Sequence, residues 1–342
     1  MDSPTLPFNR YRPRPAPKPT HVRPSSREAV LEALEYGTHI PRPQIREWAD
    51  VGDTTLRNTI RQLSREGVLT SQSGRNGAAV SVARYPVLPV VEITSNRMVW
   101  RLCDTLGGSV FATVRSRGKF RSPEDDFTAL MGQASAILGA GGCGLPHHIP
   151  LQPPVLLCPC GEDCSLLPVL LPLMTPPPAR ILSPEEAVAL ELPYLPAARE
   201  AEVLLHVHTS VDNQESDAPK VTLFSRLAVR DLKSPFVPSP IAPNLSRTLC
   251  GYLENYTPYT PSWWKQLAAF LGDLGRFVRL SCVILEVDRP QEHAALLRST
   301  LPTDTKLIRV RYAHNTPPLS HRGALRLTRR ALWRSMEEET PP

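Results

Sequence analysis

The chain has 342 residues, 38 of them proline, with 39 Lys plus Arg against 33 Asp plus Glu and a net charge of +6. At roughly 100–200 residues per domain the length predicts two domains or more. Hydrophobic and charged shares of 41% and 21% exclude a wholly disordered or collagen-like chain.

The most apolar stretch, Leu166 to Met174, is interrupted by Pro168 and Pro172 and falls short of the roughly 20 residues of a membrane helix. The N-terminus is basic but has no apolar core or cleavage site of a secretory signal, so a soluble, cytoplasmic protein is expected. Seven Cys suit reduced thiols or a metal site better than a disulfide framework. Both ends of the chain are net basic and the middle is net acidic, the asymmetry expected when one end meets a polyanion.

Residues 1–24 alternate Pro with basic and polar residues and lack any apolar period, which predicts an extended basic arm. From Ser25 or Ser26, a capped helix carries Ala29, Val30, Ala33 and Leu34 and ends near Gly37. A short helix over 43–49 follows, with Pro41 and Pro43 at its start and Ile45 and Trp48 as its apolar stripe. Asp50-Val51-Gly52-Asp53 is then a tight turn, with Gly52 free to take positive φ and Asp53 placed to cap the next helix. In that helix, 54–66, Leu56, Ile60 and Leu63 recur at helical spacing and face the core. Thr55, Arg57, Asn58 and Arg61 are thereby pushed outward. Two short strands around Ser73-Gly74-Arg75-Asn76-Gly77 make a β-hairpin wing.

Helix, short helix, tight turn, helix and wing in this order resemble the winged helix-turn-helix of bacterial transcription regulators. The resemblance covers residues 25–84 and implies double-stranded DNA as partner. Thr54 and Thr55 suit phosphates, while Arg57, Asn58 and Arg61 suit base edges, since Arg reads guanine and Asn adenine bidentately. Arg75 and Asn76 on the wing are candidates for the minor groove or backbone, and Arg42 and Gln44 complete the DNA-binding set. The competing reading is that these are solvated helix residues of a wing used for protein contacts.

After a linker at 85–89 the pattern becomes α/β. Strands are expected over 90–94, 98–104 and 109–116, a helix over 123–138, a strand over 155–158 and a helix over 185–192. Strands over 201–209 and 221–228 follow. Then come a long helix 263–278, a strand 281–287, a helix 291–299, a strand 307–312 and a final helix 322–336. His206, His208 and Asp288 read as ordinary strand and strand-end residues.

Three antiparallel strands followed by helix and strand, then a second such half, is the layout of actin-like sugar-kinase domains. With the winged module in front, the chain resembles the ROK family, whose name joins repressors, open reading frames and kinases. The segments that carry this likeness are 90–116, Leu267-Ala268-Ala269-Phe270-Leu271-Gly272-Asp273-Leu274-Gly275 leading into Cys282-Val283-Ile284-Leu285, and the closing run from His321-Arg322-Gly323-Ala324 to Leu332. The implied fold is α/β: a winged helix-turn-helix, then a degenerate ROK-like domain over 90–336 and a tail over 337–342.

The family's kinase motifs are eroded. Glu92-Ile93-Thr94-Ser95-Asn96 lacks the Gly that lets backbone amides approach phosphate. Where a catalytic Asp opens a helix in the family, this chain has Ser183 and Pro184, neither of which can be the base. Thr209-Ser210-Val211-Asp212-Asn213-Gln214 contains no glycine where a Gly-rich turn is expected. Glu185 and Glu186 fit dipole placement in a first helical turn better than base catalysis.

Cys158, Cys160 and Cys164, preceded by His147 and His148, have the thiolates and imidazoles for zinc. The family's Cys-x-Cys-Gly run has different spacing and lies after the catalytic helix, so reduced loop cysteines stand beside zinc as a reading, and no metal ligand is assigned. The resulting expectation is a non-enzymatic, sequence-specific regulator without cofactor. It would bind a palindromic operator as a homodimer and hold a small-molecule effector of unspecified identity or none. The alternatives are a ROK sugar kinase with a vestigial wing and a protein-interaction scaffold.

Overall fold

The computed structural model of the protein describes residues 26–34, 40–74, 77–82, 88–94, 97–104, 109–117, 121–139, 153–159, 161–195, 198, 200–208, 220–227, 236–239, 242–257, 260–287, 294–311 and 317–338. They fall into two compact units, one of the described residues up to Val82 and one of those from Leu88 onward. Among the described residues no helix is long and apolar enough to cross a membrane. The arm expected over residues 1–24 lies outside the described residues.

The first unit begins with α1 (Ser26–Leu34), which buries Ala29, Val30, Ala33 and Leu34. β1 (Ile40–Pro41) leads into α2 (Arg42–Ala49) and α3 (Asp53–Arg65), and β2 (Leu69–Gly74) and β3 (Gly77–Val82) close the unit. The three strands form an antiparallel sheet in the order β1-β3-β2. Buried Leu56, Ile60 and Leu63 anchor α3, as their spacing requires. The turn before α3 differs from expectation. Asp50 takes the left-handed conformation at φ 52, a region a short polar side chain tolerates, while Gly52 is extended at φ −66 and precedes the helix. Asp53 is therefore inside α3 and is not its cap. At the other end Gly67, at φ +73, and Val68 donate to the carbonyls of Ser64 and Leu63, the paired bonds that satisfy a helix C-terminus. Buried Arg27 pairs with Glu66 at 2.5 Å and ties α1 to the end of α3.

Among the described residues, the second unit holds two sheets of five strands. The first is built from β4 (Leu88–Ile93), β5 (Arg97–Cys103), β6 (Ser109–Ser116), α4 (Pro123–Gly139), β7 (Val155–Leu157), α5 (Leu167–Leu170) and β8 (Arg180–Leu182), after which α6 (Pro184–Glu191) leaves it. Leu88 and Pro89 thus belong to the sheet and not to the linker expected over 85–89. The second half runs β9 (Val203–His208), β10 (Lys220–Arg226), β11 (Phe236–Pro238), α7 (Ala242–Leu253), α8 (Pro261–Phe277), β12 (Cys282–Val287), α9 (Ala294–Thr300), β13 (Lys306–Arg311) and α10 (Leu319–Glu338). The sheet orders are β6-β5-β4-β7-β8 and β11-β10-β9-β12-β13. In each, three antiparallel strands are extended by two parallel ones.

Strand alternation gives each sheet two apolar faces. One face of the first sheet, with Val91, Ile93, Met98 and Trp100, packs on Phe127 and Leu130 of α4. One face of the second, with Leu205, Val207, Val283 and Leu285, packs on Leu249, Trp263, Leu267 and Leu297 of α7, α8 and α9. The remaining faces share α6 and α10: Leu88, Val90, Val155 and Leu157 meet Ala187, Ala324 and Leu325, while Leu204, Ile284 and Cys282 meet Val188, Leu192 and Leu319. Where α10 crosses α6, a Cβ added at Gly323 would lie 1.7 Å from the Ala187 carbonyl oxygen, so only glycine allows this approach. Buried Glu191 of α6 accepts hydrogen bonds from Arg322 and Arg326 of α10, which fixes the crossing further.

Candidate functional site

Two arrangements carry chemistry, one in each unit. In the first unit α3 exposes Thr54, Thr55, Arg57, Asn58 and Arg61, because the buried residues at helical spacing consume the opposite face. Arg57 donates to Asp53 at 2.8 Å, an exposed pair one turn apart that is worth only about 0.3–0.5 kcal/mol and is easily exchanged for another partner. Arg42 and Gln44 are half-buried on α2. Arg75 and Asn76 lie outside the described residues.

In the second unit the polar residues gather where the parallel strands end. Glu92 of β4, His206 and His208 of β9 and Glu286 of β12 alternate with residues committed to the outer cores, so all four point toward the layer of α6 and α10. There they meet the first turn of α10. Glu286 is 1% exposed; its Oε2 lies 2.9 Å from His206 Nε2 and 3.4 Å from His208 Nδ1. Its Oε1 accepts from the Leu319 backbone N–H at 2.7 Å, satisfying one of the unpaired donors that open α10. Glu92 Oε2 lies 3.0 Å from Nε2 of fully buried His321, whose Nδ1 has no hydrogen-bond partner among the described residues. Burial alone would raise both carboxyl pKa values. Hydrogen bonding to His321, with the charges of His321, Arg97 and His208, more than offsets it at Glu92 and brings that group down to about 2. Hydrogen bonds from His206 and His208 hold Glu286 well below the ordinary carboxylate range.

His206 and His208 are strand and strand-end residues, as the sequence predicts, and both face Glu286. With Glu286 they form the group among the described residues whose ligand atoms, all within 4.8 Å of one another, are placed to hold a metal ion. The alternation His-x-His is visible in the sequence. The partnership with Glu286 is not, because it depends on β9 and β12 being parallel neighbours across 80 residues.

Other chemistry-bearing residues are committed elsewhere. Ser183 caps α6: its Oγ accepts from the Glu186 N–H at 3.1 Å while Glu186 Oε2 accepts from the Ser183 N–H at 2.7 Å. Cys158 is buried and Cys164 half-buried, while Cys160, His147, His148, Asp288 and the segment 209–214 lie outside the described residues. Burial pushes the thiols of Cys103 and Cys282 up to about 12, so both are inert core residues.

A search of solved structures finds a ROK family transcriptional regulator described as a homolog of the E. coli MLC protein, with a TM-score of 0.50 at 10% identity, covering 91% of this chain and 97% of that one. Neither compact unit supplies that share by itself, so the likeness spans both. The fold is that of the ROK family. A ROK hexokinase from Thermus thermophilus (TM-score 0.42, 14% identity, 73% of this chain and 100% of that one) is also similar. So is a ROK family glucokinase from Streptomyces griseus in complex with glucose and AMPPNP (0.43, 9%, 72% and 100%). No family model matches the sequence, and no curated protein does.

Proposed function

We propose that the chain is a sequence-specific DNA-binding transcription regulator of ROK fold, acting in the cytoplasm as a homodimer, with the second unit as a non-catalytic dimerisation and effector domain. The observation that carries this reading is α3. Its core-facing residues leave Thr54, Thr55, Arg57, Asn58 and Arg61 on one open face, with hydroxyls near the helix start and planar donors beyond them. A major-groove helix needs that order. The fold, shared with a protein described as a transcriptional regulator, supports it. The second unit adds support by what its acids do: Glu186 closes a capping box, and Glu92 and Glu286 are engaged by histidines. Three carboxylates so occupied are poorly available to deprotonate a sugar hydroxyl or to hold Mg²⁺ for phosphoryl transfer.

Selection of bound sequences from a random duplex pool at near-physiological salt tests the reading. A palindrome with half-sites about one DNA turn apart is expected. Featureless enrichment, or no binding even at low salt, counts against it and favours protein contacts. On the selected site, Arg57→Ala and Asn58→Ala should each weaken specific binding by roughly 1–3 kcal/mol and relax base preference. An unchanged profile would mean that α3 faces elsewhere.

A further inference from the structure

We infer that His206, His208 and Glu286 form a binding site for a divalent transition-metal ion of the zinc type, seated where β9 and β12 end against the first turn of α10. Two imidazoles and a carboxylate are a ligand set suited to zinc, and unsuited to magnesium or calcium, which take oxygen ligands. A tetrahedral ion with bonds near 2.0–2.2 Å holds its ligand atoms about 3.3–3.6 Å apart. The 3.4 Å between Glu286 Oε2 and His208 Nδ1 falls in that range, and the 2.9 Å to His206 Nε2 is shorter and would open on metal entry. The third separation, within 4.8 Å, closes by rotation of His208, which at 27% side-chain exposure is the least confined of the three.

The surroundings fit an ion better than a bare hydrogen-bonded trio. A carboxylate 1% exposed needs compensating charge close by, and a divalent cation seated between Glu286 and the two imidazoles supplies it directly. The second oxygen of Glu286 is fixed by the Leu319 N–H, the kind of outer contact that orients a ligating carboxylate. The trio supplies three ligand atoms, which leaves a fourth coordination position to be filled by a ligand from outside it. Sites that keep one open position are those at which a metal meets a further ligand. None of this depends on DNA binding.

The test is zinc titration of the full-length protein after chelator treatment and dialysis, read by a competing chromophoric chelator and by metal content per chain. Wild type is compared with His208→Ala, with Glu286→Gln, and with a variant carrying Cys158→Ser, Cys160→Ser and Cys164→Ser. The expected result is that His208→Ala lowers the tightly bound stoichiometry by one ion per chain with the circular dichroism spectrum unchanged. The cysteine variant should retain that ion. Cobalt substituted into it should then give a visible spectrum without thiolate charge-transfer bands. Should Glu286→Gln fail to fold, His208→Ala still decides the matter, because its side chain is partly in solvent. Equal stoichiometry in wild type and His208→Ala, or loss of all tight binding in the cysteine variant, overturns the inference.

Discussion

The two sheets of the second unit are wound in the same order but are covered differently. The first has α4 and the short α5 on its outer face, whereas the second buries Trp263 and Trp264 under α7, α8 and α9. Their inner faces share one layer, α6 and α10, and every buried histidine–carboxylate contact of the described residues lies there. The outer faces are predominantly apolar because each has helices of its own, and the Arg115–Asp126 pair between β6 and α4 is a polar contact there that involves no histidine. The inner layer must serve two sheets at once, and the strand ends that converge on it deliver polar side chains to the first turn of one helix. Stability and chemistry are thus divided by face and not by half.

The strongest way to break this division is to push the inner layer apart. Gly323→Ala places a methyl group 1.7 Å from a backbone carbonyl that cannot move without shifting α6. A loss of more than about 3 kcal/mol, or failure to fold, is expected in urea denaturation. The matching change on the outer face of the first sheet is Gly132→Ala in α4, where nothing lies within 4 Å of the added Cβ. There the better helix propensity of alanine should stabilise by about 0.5–1 kcal/mol. Equal effects of the two substitutions would refute the close crossing of α6 and α10.

A second, smaller effect separates the two strand-end clusters by pH. Glu92 ordinarily titrates at 4.5 and here at about 2, with burial opposed and outweighed by His321, Arg97 and His208. A carboxyl whose folded value is depressed contributes stability that is present above its unfolded value and lost as pH falls through the folded one. Glu92→Gln should therefore cost on the order of 2–3 kcal/mol at neutral pH, and the gap to wild type should shrink between about pH 4.5 and 2. Taking the difference cancels the titration of Glu286, which both proteins share. A gap independent of pH would mean that Glu92 contributes packing and no charge.

Much of this architecture was legible in the sequence. Strong periodicity placed α3, α4 and α8 to within two residues, and the α/β class follows from the alternation of elements. What escaped has physical reasons. β8 and β11 are three residues long, too short for a period to register, and α7 opens with Ala242-Pro243-Asn244, which reads as a loop. The last helix begins at Leu319, three residues before its expected start, because Glu286 supplies from another strand the acceptor that its first turn lacks locally. The candidate DNA-reading residues follow from the helical pattern alone. The cluster of His206, His208 and Glu286 needed strand order and register, which no local pattern encodes.

The smallest effect concerns Ser183, at the entry to the shared layer. Its hydroxyl accepts from the Glu186 N–H, and the Glu186 carboxylate returns the bond to the Ser183 N–H, so two of the donors that open α6 are satisfied by its own side chains. Replacement by alanine removes one bond and leaves the other, and Ser183→Ala should cost about 1 kcal/mol. Glu186→Gln, which can still accept from the same N–H but lacks the charge favoured at a helix start, should cost roughly half as much. Both are expected to leave the spread of α10 and the selected DNA sequence unchanged, since neither side chain reaches the strand-end clusters. A Glu186→Gln protein of undiminished stability would mean that the carboxylate is not spent on the cap, and would return it to the residues available for chemistry on a bound ligand.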